Sequence, residues 1–159
     1  MITGRVPARK LLGIHPAIIL AVLDLIGLGV ASYLAVVELT GGVPTCGLIQ
    51  GCEEVARSQY NNFAGIPVAV FGVVLSVCLL SLALAWWRTD IYGLLLGHYG
   101  LSLVGVMFDG YFLFLQIFVI KAVCIWCMTY EFSLLLRFLI AFYVWYRQPR
   151  PEVNDVDDK

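Results

Sequence analysis

Four of the five cysteines in this chain of 159 residues occur as two closely spaced pairs. Five residues separate Cys46 from Cys52, and Cys124 and Cys127 form a Cys-x-x-Cys sequence. The fifth, Cys78, lies within a long apolar segment, where a buried thiol most simply acts as a small packing residue. The two pairs are therefore the residues whose type and spacing could do chemistry.

The spacing of Cys124 and Cys127 favours thiol–disulfide exchange. At the start of a helix, the helix dipole lowers the pKa of the N-terminal thiol, which makes it a better attacking or leaving group. A disulfide within one helical turn closes almost no loop and so adds little stability. Two alternatives remain: both pairs could be structural disulfides, or the four thiolates could bind zinc. We favour a relay in which one pair meets a soluble partner and the other lies beside an electron acceptor.

The composition of the chain is that of a membrane protein. Apolar residues make up 61% of it and charged residues 13%, whereas a soluble domain is about half apolar and a quarter charged. This excludes an ordinary soluble enzyme, a disordered chain and a nucleic-acid-binding protein with a basic face. The cysteines must therefore be positioned by elements that lie in lipid.

Four apolar segments are long enough to cross the bilayer as helices, which takes about 20 residues. They cover about residues 15–37, 65–87, 91–119 and 123–145. We predict an all-α integral membrane protein with a four-helix bundle at 15–146, tails at 1–14 and 147–159, and no fused thioredoxin domain. The connection at about 38–64 is the one long loop, and it should carry a short helix at 53–60, with Pro67 in the first turn of the second span.

The Lys and Arg residues orient this bundle, because such residues in short connections stay on the cytoplasmic side. Seven lie in the two tails and the turn after the second span, whereas only Arg57 and Lys121 lie on the other side. We expect a multi-pass protein of the cell (inner) membrane with both termini in the cytoplasm. All four paired cysteines then lie on the periplasmic or extracellular side, where disulfides persist.

The two helix cysteines should lie at different depths. A helix rises by about 1.5 Å per residue, so Cys127 lies about 4.5 Å deeper than Cys124. Cys124 should face the loop cysteines, and Cys127 should face a pocket on the lipid side. A soluble dithiol cannot enter such a pocket, so the electron acceptor must be a molecule that dissolves in the bilayer. A quinone fits this requirement best.

The ordered set of motifs resembles bacterial homologues of vitamin K epoxide reductase over about residues 15–145. Its parts are Cys46-x5-Cys52, then Ser58, the segment Gly65-Ile-Pro-Val-Ala-Val-Phe-Gly72, and Cys124-Ile-Trp-Cys127-Met-Thr. No single part is specific, but their order is. DsbB-type quinone oxidases carry the Cys-x-x-Cys in the first outer loop instead.

The resemblance implies a membrane thiol:quinone oxidoreductase that oxidises a separate thioredoxin-fold (DsbA-like) partner and supports disulfide formation in exported proteins. Cys46 and Cys52 would take electrons from the partner, Cys52 would attack Cys124, and Cys127 would pass electrons to the quinone. The quinone would be ubiquinone, menaquinone or a vitamin K type. The hydroxyl of Ser58 would lie near its head group.

Two departures from vertebrate members of this family leave alternatives open. Those members have an Asn near the position of Val68 and a Tyr at the position of Glu131, with Tyr130 one residue out of register. One alternative is a vitamin K epoxide or quinone reductase that uses another thiol donor. Another is a non-catalytic membrane protein with structural disulfides.

Four Asp, Glu or Arg residues fall inside the predicted spans, where such groups are costly unless they are paired or functional. Asp24 and Arg137 lie at similar depths, so we predict a buried ion pair between the first and fourth spans. Asp109 and Glu131 lie nearer the outer surface, and Glu131 follows Cys127 by one helical turn. Either carboxyl could donate or relay a proton to a quinone. Alternatively, both only hydrogen-bond neighbouring helices, with Tyr111, Tyr130 and Gln116 as candidate partners.

Aromatic residues of the third span could line a pocket for a flat ring, although such a stripe more often packs. We take Phe114 as the candidate quinone contact, from a group that also contains Tyr111, Phe112 and Phe118. His15 and His98 have no second ligand at a useful spacing. We therefore predict no metal or haem site.

Overall fold

A computed structural model describes residues 14–46, 51–63 and 65–147. Within them, four helices are long and apolar enough to cross a membrane, which confirms the predicted all-α membrane architecture. These helices are α1 (Pro16–Leu39), α3 (Val68–Thr89), α4 (Tyr92–Phe114) and α5 (Ile125–Arg147), and α4 continues as a π-helix at Leu115–Ile120. Residues 1–13 and 148–159 lie outside the described part, so the division into tails and bundle stays a prediction.

Small residues on the helix surfaces allow the four spans to pack closely. α1 packs along α3 and α5, and α4 packs along the same two helices. A Cβ atom on Gly105 of α4 would come within 2.8 Å of the Leu75 side chain and 2.9 Å of the Leu134 side chain. Because lipid offers helices no hydrophobic drive to associate, such close backbone approach is a main source of their packing energy.

The outward faces of the spans are covered by large apolar side chains. Val36, Val104, Met107 and Phe132 are each more than 60% exposed within the chain. A soluble protein rarely carries apolar surface on this scale. The protein is therefore a multi-pass membrane protein, and these faces contact lipid.

Cys78 lies on such an outward face, and the expectation that it is buried was wrong. The buried positions of α3 are Ser76, Leu79, Ala83 and Trp86, which recur every three or four residues. Residue 78 falls outside this stripe. α3 is apolar on all sides, so the sequence pattern does not distinguish its protein face from its lipid face.

The long loop between α1 and α3 folds over one end of the bundle, which we call the loop end. It contains a short helix α2 (Gly51–Ala56), a 3₁₀ turn (Gln59–Asn61) and a two-residue antiparallel pair, β1 (Asn62–Phe63) with β2 (Ile66–Pro67). The predicted loop helix is thus present but shorter. Pro67 pairs with Asn62 instead of occupying the first turn of α3, which begins at Val68.

A buried ionic network joins α1, α4 and α5 in the other half of the bundle. The Arg137 guanidinium lies 3.3 Å from Asp24 Oδ1, which confirms the predicted pair. His98 Nε2 lies 3.2 Å from the other oxygen of Asp24. Arg137 also donates to the carbonyl and the hydroxyl of Ser133, at 3.2 and 2.8 Å. All three ionisable side chains are fully buried, so each depends on the others for its polar partners.

Candidate active site

The loop segment before Cys46 is held against the start of α5 by an aromatic residue between the two helix cysteines. Trp126 Nε1 donates to the carbonyl of Thr45 at 3.0 Å. Its ring lies 4.7 Å from the ring of Tyr33, whose hydroxyl accepts from Thr45 N at 3.4 Å. These contacts bring the first loop cysteine to the Cys-x-x-Cys segment.

A glycine allows the second loop cysteine to approach the same segment. Cys52 is buried in α2, directly after Gly51. A Cβ atom on Gly51 would collide with the backbone of Val123, the residue before Cys124. Only glycine permits this distance without a shift of the chain.

The sulfur atoms of Cys46, Cys52 and Cys124 all lie within 4.8 Å of one another. Cys46 and Cys52 form a disulfide with their Cα atoms 6.0 Å apart, whereas Cys124 and Cys127 are free thiols. The Cys127 backbone N–H donates to Cys124 Sγ at 3.4 Å. The structure therefore brings all four predicted cysteines together, with a disulfide on the loop side and a dithiol on the helix side.

Cys124 lies just before the first residue of α5 and is the more acidic thiol. The hydrogen bond from the Cys127 side chain, together with the backbone N–H groups of Cys127 and Trp126, lowers the pKa of Cys124 to about 7 against the opposing effect of burial. Donors that favour the charged form of a group act in this direction. Cys124 is thus suited both to attack a disulfide and to leave one.

An apolar cavity of about 300 Å³ lies beside Cys127, between the spans and below the loop. Most of its wall consists of aliphatic and aromatic side chains from α1, α3, α4 and the loop, including Phe63, Phe71, Phe108 and Phe112. Its polar lining comes from Glu38, Asn61, Asp109, Tyr130 and Glu131. A mostly apolar cavity with a few polar groups is typical of small-molecule sites.

The carboxyl groups around this cavity retain unused oxygens. Within the described residues, one oxygen each of Glu38, Asp109 and Glu131 is buried and has no hydrogen-bond partner. The hydroxyl of Tyr130, by contrast, donates to the carbonyl of Gly72 at 3.1 Å. Buried polar atoms without partners are costly, so three of them on side chains that line one cavity point to a functional role there.

Three of the five predicted quinone contacts line the cavity: Cys127, Asp109 and Glu131. Ser58 is not part of the lining, and its hydroxyl donates to the Val55 carbonyl at 2.8 Å. Phe114 is not part of it either: this side chain is 52% exposed on the lipid face and stacks on Phe118.

The cavity-facing residues of α4 are spaced by one helical turn, and Phe114 is off that face. Gly105, Phe108, Asp109 and Phe112 recur at intervals of three or four residues. Residue 114 follows Phe112 by two positions, which turns its side chain about 200° away. Of the four aromatic residues in the predicted group, Phe112 lines the cavity, whereas Phe114, the one selected as a quinone contact, does not.

Several residues of this region were not selected from the sequence. Glu38 lies in the last turn of α1, where a negative charge interacts unfavourably with the helix dipole. This unfavourable position could have identified Glu38 as a candidate functional residue from the sequence. Asn61 has no role in the sequence-based prediction, and Tyr130 enters it only as a candidate hydrogen-bond partner of a buried carboxyl. Both line the cavity. Nothing in the sequence indicated that the loop would fold back far enough to place Asn61 there.

A four-span bundle with a loop disulfide beside a Cys-x-x-Cys dithiol, and with an apolar cavity at the deeper thiol, fits a membrane oxidoreductase. Residues 18–142 match the family model of the Vitamin K epoxide reductase family, and the chain belongs to that family. The family implies oxidoreductase activity with quinones as electron acceptors, in general together with redox partner proteins. The resemblance found in the motifs is thereby confirmed.

Proposed function

We propose that this protein is a thiol:quinone oxidoreductase that takes electrons from a thioredoxin-fold partner and passes them to a membrane quinone. In this way it would support disulfide formation in exported proteins. The observation that carries the proposal is the cluster of three sulfurs within 4.8 Å, formed by Cys46, Cys52 and Cys124. Cys127 extends this cluster, because it contacts Cys124 and also lines the cavity.

The first exchange would occur at the loop disulfide. A partner thiolate attacks Cys46, which is half-buried, whereas Cys52 is 1% exposed. The Cys46–Cys52 bond breaks, and Cys52 leaves as a thiolate. The partner's second thiolate then displaces Cys46 and leaves the partner oxidised and both loop cysteines reduced.

The second exchange would move the two electrons to α5. With the helix pair oxidised, the Cys52 thiolate attacks Cys124 and releases Cys127. Cys46 then attacks Cys52, which re-forms the loop disulfide and frees Cys124. The structure has the pattern that this step produces, with the loop pair bonded and the helix pair reduced.

The cavity fits a quinone in both polarity and position. Its aromatic and aliphatic walls suit a flat ring, and its unpartnered carboxyl oxygens are acid–base groups. A quinone bound here would accept two electrons and two protons. We propose that Cys127 faces it, that Phe108 and Phe112 bound its ring, and that Asp109 and Glu131 exchange protons with it.

Quinone reduction by the purified protein tests this proposal. Dithiothreitol serves as electron donor, and a short-chain ubiquinone or menaquinone serves as acceptor. We expect Cys52→Ser and Cys124→Ser each to abolish turnover in a protein that still folds. The matched control is Cys78→Ser, since this cysteine lies on the lipid face, and it should retain full activity. The proposal fails if the wild type reduces no quinone while loss of Cys52 lowers its melting temperature, as for a structural disulfide.

A trapping experiment tests the proposed partner and the side on which it acts. We propose that the loop end faces the periplasm or cell exterior and both tails face the cytoplasm. Cys52→Ala leaves Cys46 without a resolving thiol, so a DsbA-like protein that also lacks its resolving cysteine should remain attached as a mixed disulfide. The adduct should be released by dithiothreitol and should be absent when Cys46→Ser is added. An adduct that persists without Cys46 would contradict the assignment.

A further inference from the structure

A buried glutamine connects the exchange site to the cavity. Gln116 is fully buried in the π-helical end of the third span. Its Oε1 accepts from the backbone N–H of Cys124 at 3.1 Å, and its Nε2 donates to Glu131 Oε1, also at 3.1 Å. The Gln116 amide therefore connects the backbone N–H of Cys124 with the carboxyl of Glu131, which lines the cavity.

The direction of this amide is fixed by its partners. A backbone N–H can only donate, so the oxygen of Gln116 must face Cys124. The NH₂ group must then face Glu131, and it requires an acceptor there. Oε1 of Glu131 is thereby occupied as an acceptor.

The second oxygen of Glu131 is left for a proton. Glu131 Oε2 is buried and has no hydrogen-bond partner among the described residues, and Glu131 lines the cavity. A protonated carboxyl that accepts on one oxygen carries its hydrogen on the other. The amide of Gln116 thus determines which oxygen holds the proton, on a side chain that lines the cavity.

We propose that Gln116 is a positioning residue that holds Glu131 with its proton-carrying oxygen toward the quinone, an inference that rests on the proposed function. When Cys124 and Cys127 form a disulfide, they release two electrons and two protons. The acceptor takes up the same number of each. Glu131 gives its proton to the acceptor and is reprotonated by one thiol proton, while the second thiol proton reaches the acceptor through Asp109, so both carboxyls are unchanged at the end of the cycle.

The π-helical geometry explains how Gln116 reaches both groups. The backbone carbonyl of Gln116 accepts from the N–H of Lys121 and from that of Ala122, the latter at 3.1 Å. Lys121 then adopts a left-handed conformation with φ 57°, which ends the helix and starts the short segment leading to Cys124. Single wide turns of this kind occur often at functional sites.

The other titratable groups near Glu131 come from three spans. Glu38 of α1 and Asp109 of α4 line the same cavity, as do Cys127 and Tyr130 of α5. Cys124 lies at the far end of the Gln116 amide, and α3 contributes only apolar residues and a glycine to the lining. Because these groups can also titrate, the role of Glu131 is tested by comparing the pH profile of the wild type with those of variants at Gln116 and Glu131.

The decisive variant is Gln116→Glu, because it keeps the acceptor for the Cys124 N–H but loses the donor to Glu131 when the introduced carboxyl is ionised. Two reactions are measured separately in detergent. The sulfur reaction is reduction of the protein's disulfides by dithiothreitol without quinone, followed by alkylation of the new thiols. The quinone reaction is oxidation of the pre-reduced protein by a short-chain ubiquinone in a single turnover.

We expect Gln116→Glu to slow the quinone reaction by about a hundredfold at neutral pH, the lower end of general acid–base effects. The rate should recover at acid pH, where the introduced carboxyl is protonated and can donate again. Glu131→Gln should slow the same reaction without acid recovery, and the double variant should be no slower than Glu131→Gln. The sulfur reaction should be unchanged in all three.

The control is Ser102→Ala in α4. The buried Ser102 hydroxyl donates to the Tyr99 carbonyl of the same helix and to no other group among the described residues, so its removal should leave both reactions unchanged. If Gln116→Glu does not fold, Gln116→Met should show the slow quinone reaction at every pH. A Gln116→Glu protein that reduces quinone at the wild-type rate, or that slows both reactions equally, overturns the positioning role. A wild type that reduces no quinone overturns the proposed function itself.

Discussion

Replacing either charged member of the buried network, by Asp24→Asn or Arg137→Gln, should strongly destabilise the bundle. Both side chains are 0% exposed, so each single variant leaves one charge in a low-dielectric interior. Breaking a buried pair in this way costs about 3–5 kcal/mol. The surviving Arg137 would keep its bonds to Ser133, and the surviving Asp24 would keep His98, but neither remaining contact supplies the Arg137–Asp24 attraction.

The double variant distinguishes pairing from simple loss of packing. With both charges removed, no uncompensated charge remains. Its destabilisation should therefore be smaller than the sum of the two single effects by about 3 kcal/mol, the upper end of couplings between contacting residues. The measurement is the free energy of unfolding of the detergent-solubilised protein in an SDS titration, followed by the loss of helical circular dichroism.

The matched control is the more exposed pair of His15 and Asp90, whose atoms lie 3.2 Å apart and whose side chains are 19% and 41% exposed. Asp90 has φ 51° at the C-terminal end of α3, and Asn tolerates this conformation as well as Asp does. Asp90→Asn should therefore cost less than about 1 kcal/mol. The reasoning is refuted if the single variants at Asp24 and Arg137 are as mild as this control, or if their effects are additive.

Two further predictions concern the exchange site. In the form with the loop disulfide, the rate at which Cys124 is alkylated should rise with pH around a midpoint near 7. Cys127→Ala should move this midpoint to higher pH, because the Cys124 thiolate loses its main hydrogen-bond donor. An unchanged midpoint would contradict the assigned cause. Gly51→Ala should slow reduction of the helix disulfide by the loop thiols, since its Cβ would displace α2 from the backbone before α5. Gly100→Ala, which points into open space, is the control, and equal rates in both variants would show that the close approach is unimportant.

The positions of the spans and the depths of their charged residues could be predicted from sequence, because both follow from counting residues along each apolar segment. The predicted span at 15–37 is observed as Pro16–Leu39, and that at 123–145 as Ile125–Arg147. The rise per residue placed Asp24 and Arg137 at one depth and so identified their contact. His98, which was given no role, completes that network because it lies on the buried face of α4, within 3.2 Å of Asp24.

The rotation of each span about its axis could not be predicted in the same way. In a soluble helix, the polar face identifies the buried one by contrast. In α3 and α4, lipid and protein interior are both apolar, so this contrast is absent. Cys78 was therefore expected to be buried but is exposed, and Phe114 was expected at the quinone site but is 52% exposed outside the cavity lining.

The polar residues around the cavity depend on contacts between elements distant in the sequence. Glu38, Asn61 and Gln116 come from α1, the loop and the π-helical turn. Asn61 and Gln116 are unremarkable in their local context, and only the packing of distant elements brings all three near Glu131. Gln116 had been considered as a partner for a buried carboxyl, but its second bond, to Cys124, depends on where the third span ends.

The spacing of the two helix cysteines suits the proposed transfer of electrons from the loop cysteines to the cavity between the spans. Three residues correspond to about 300° of rotation and about 4.5 Å of rise, so the two thiols lie on neighbouring sides of α5 and at different depths. They are close enough for the Cys127 N–H to donate to Cys124 Sγ at 3.4 Å. Yet Cys124 is buried under the loop disulfide, whereas Cys127 lines the cavity. A spacing of two residues would instead turn the second side chain about 200° away from the first. In the proposed relay, the Cys-x-x-Cys spacing thus lets electrons pass from the loop disulfide to the cavity without any cysteine having to move between them.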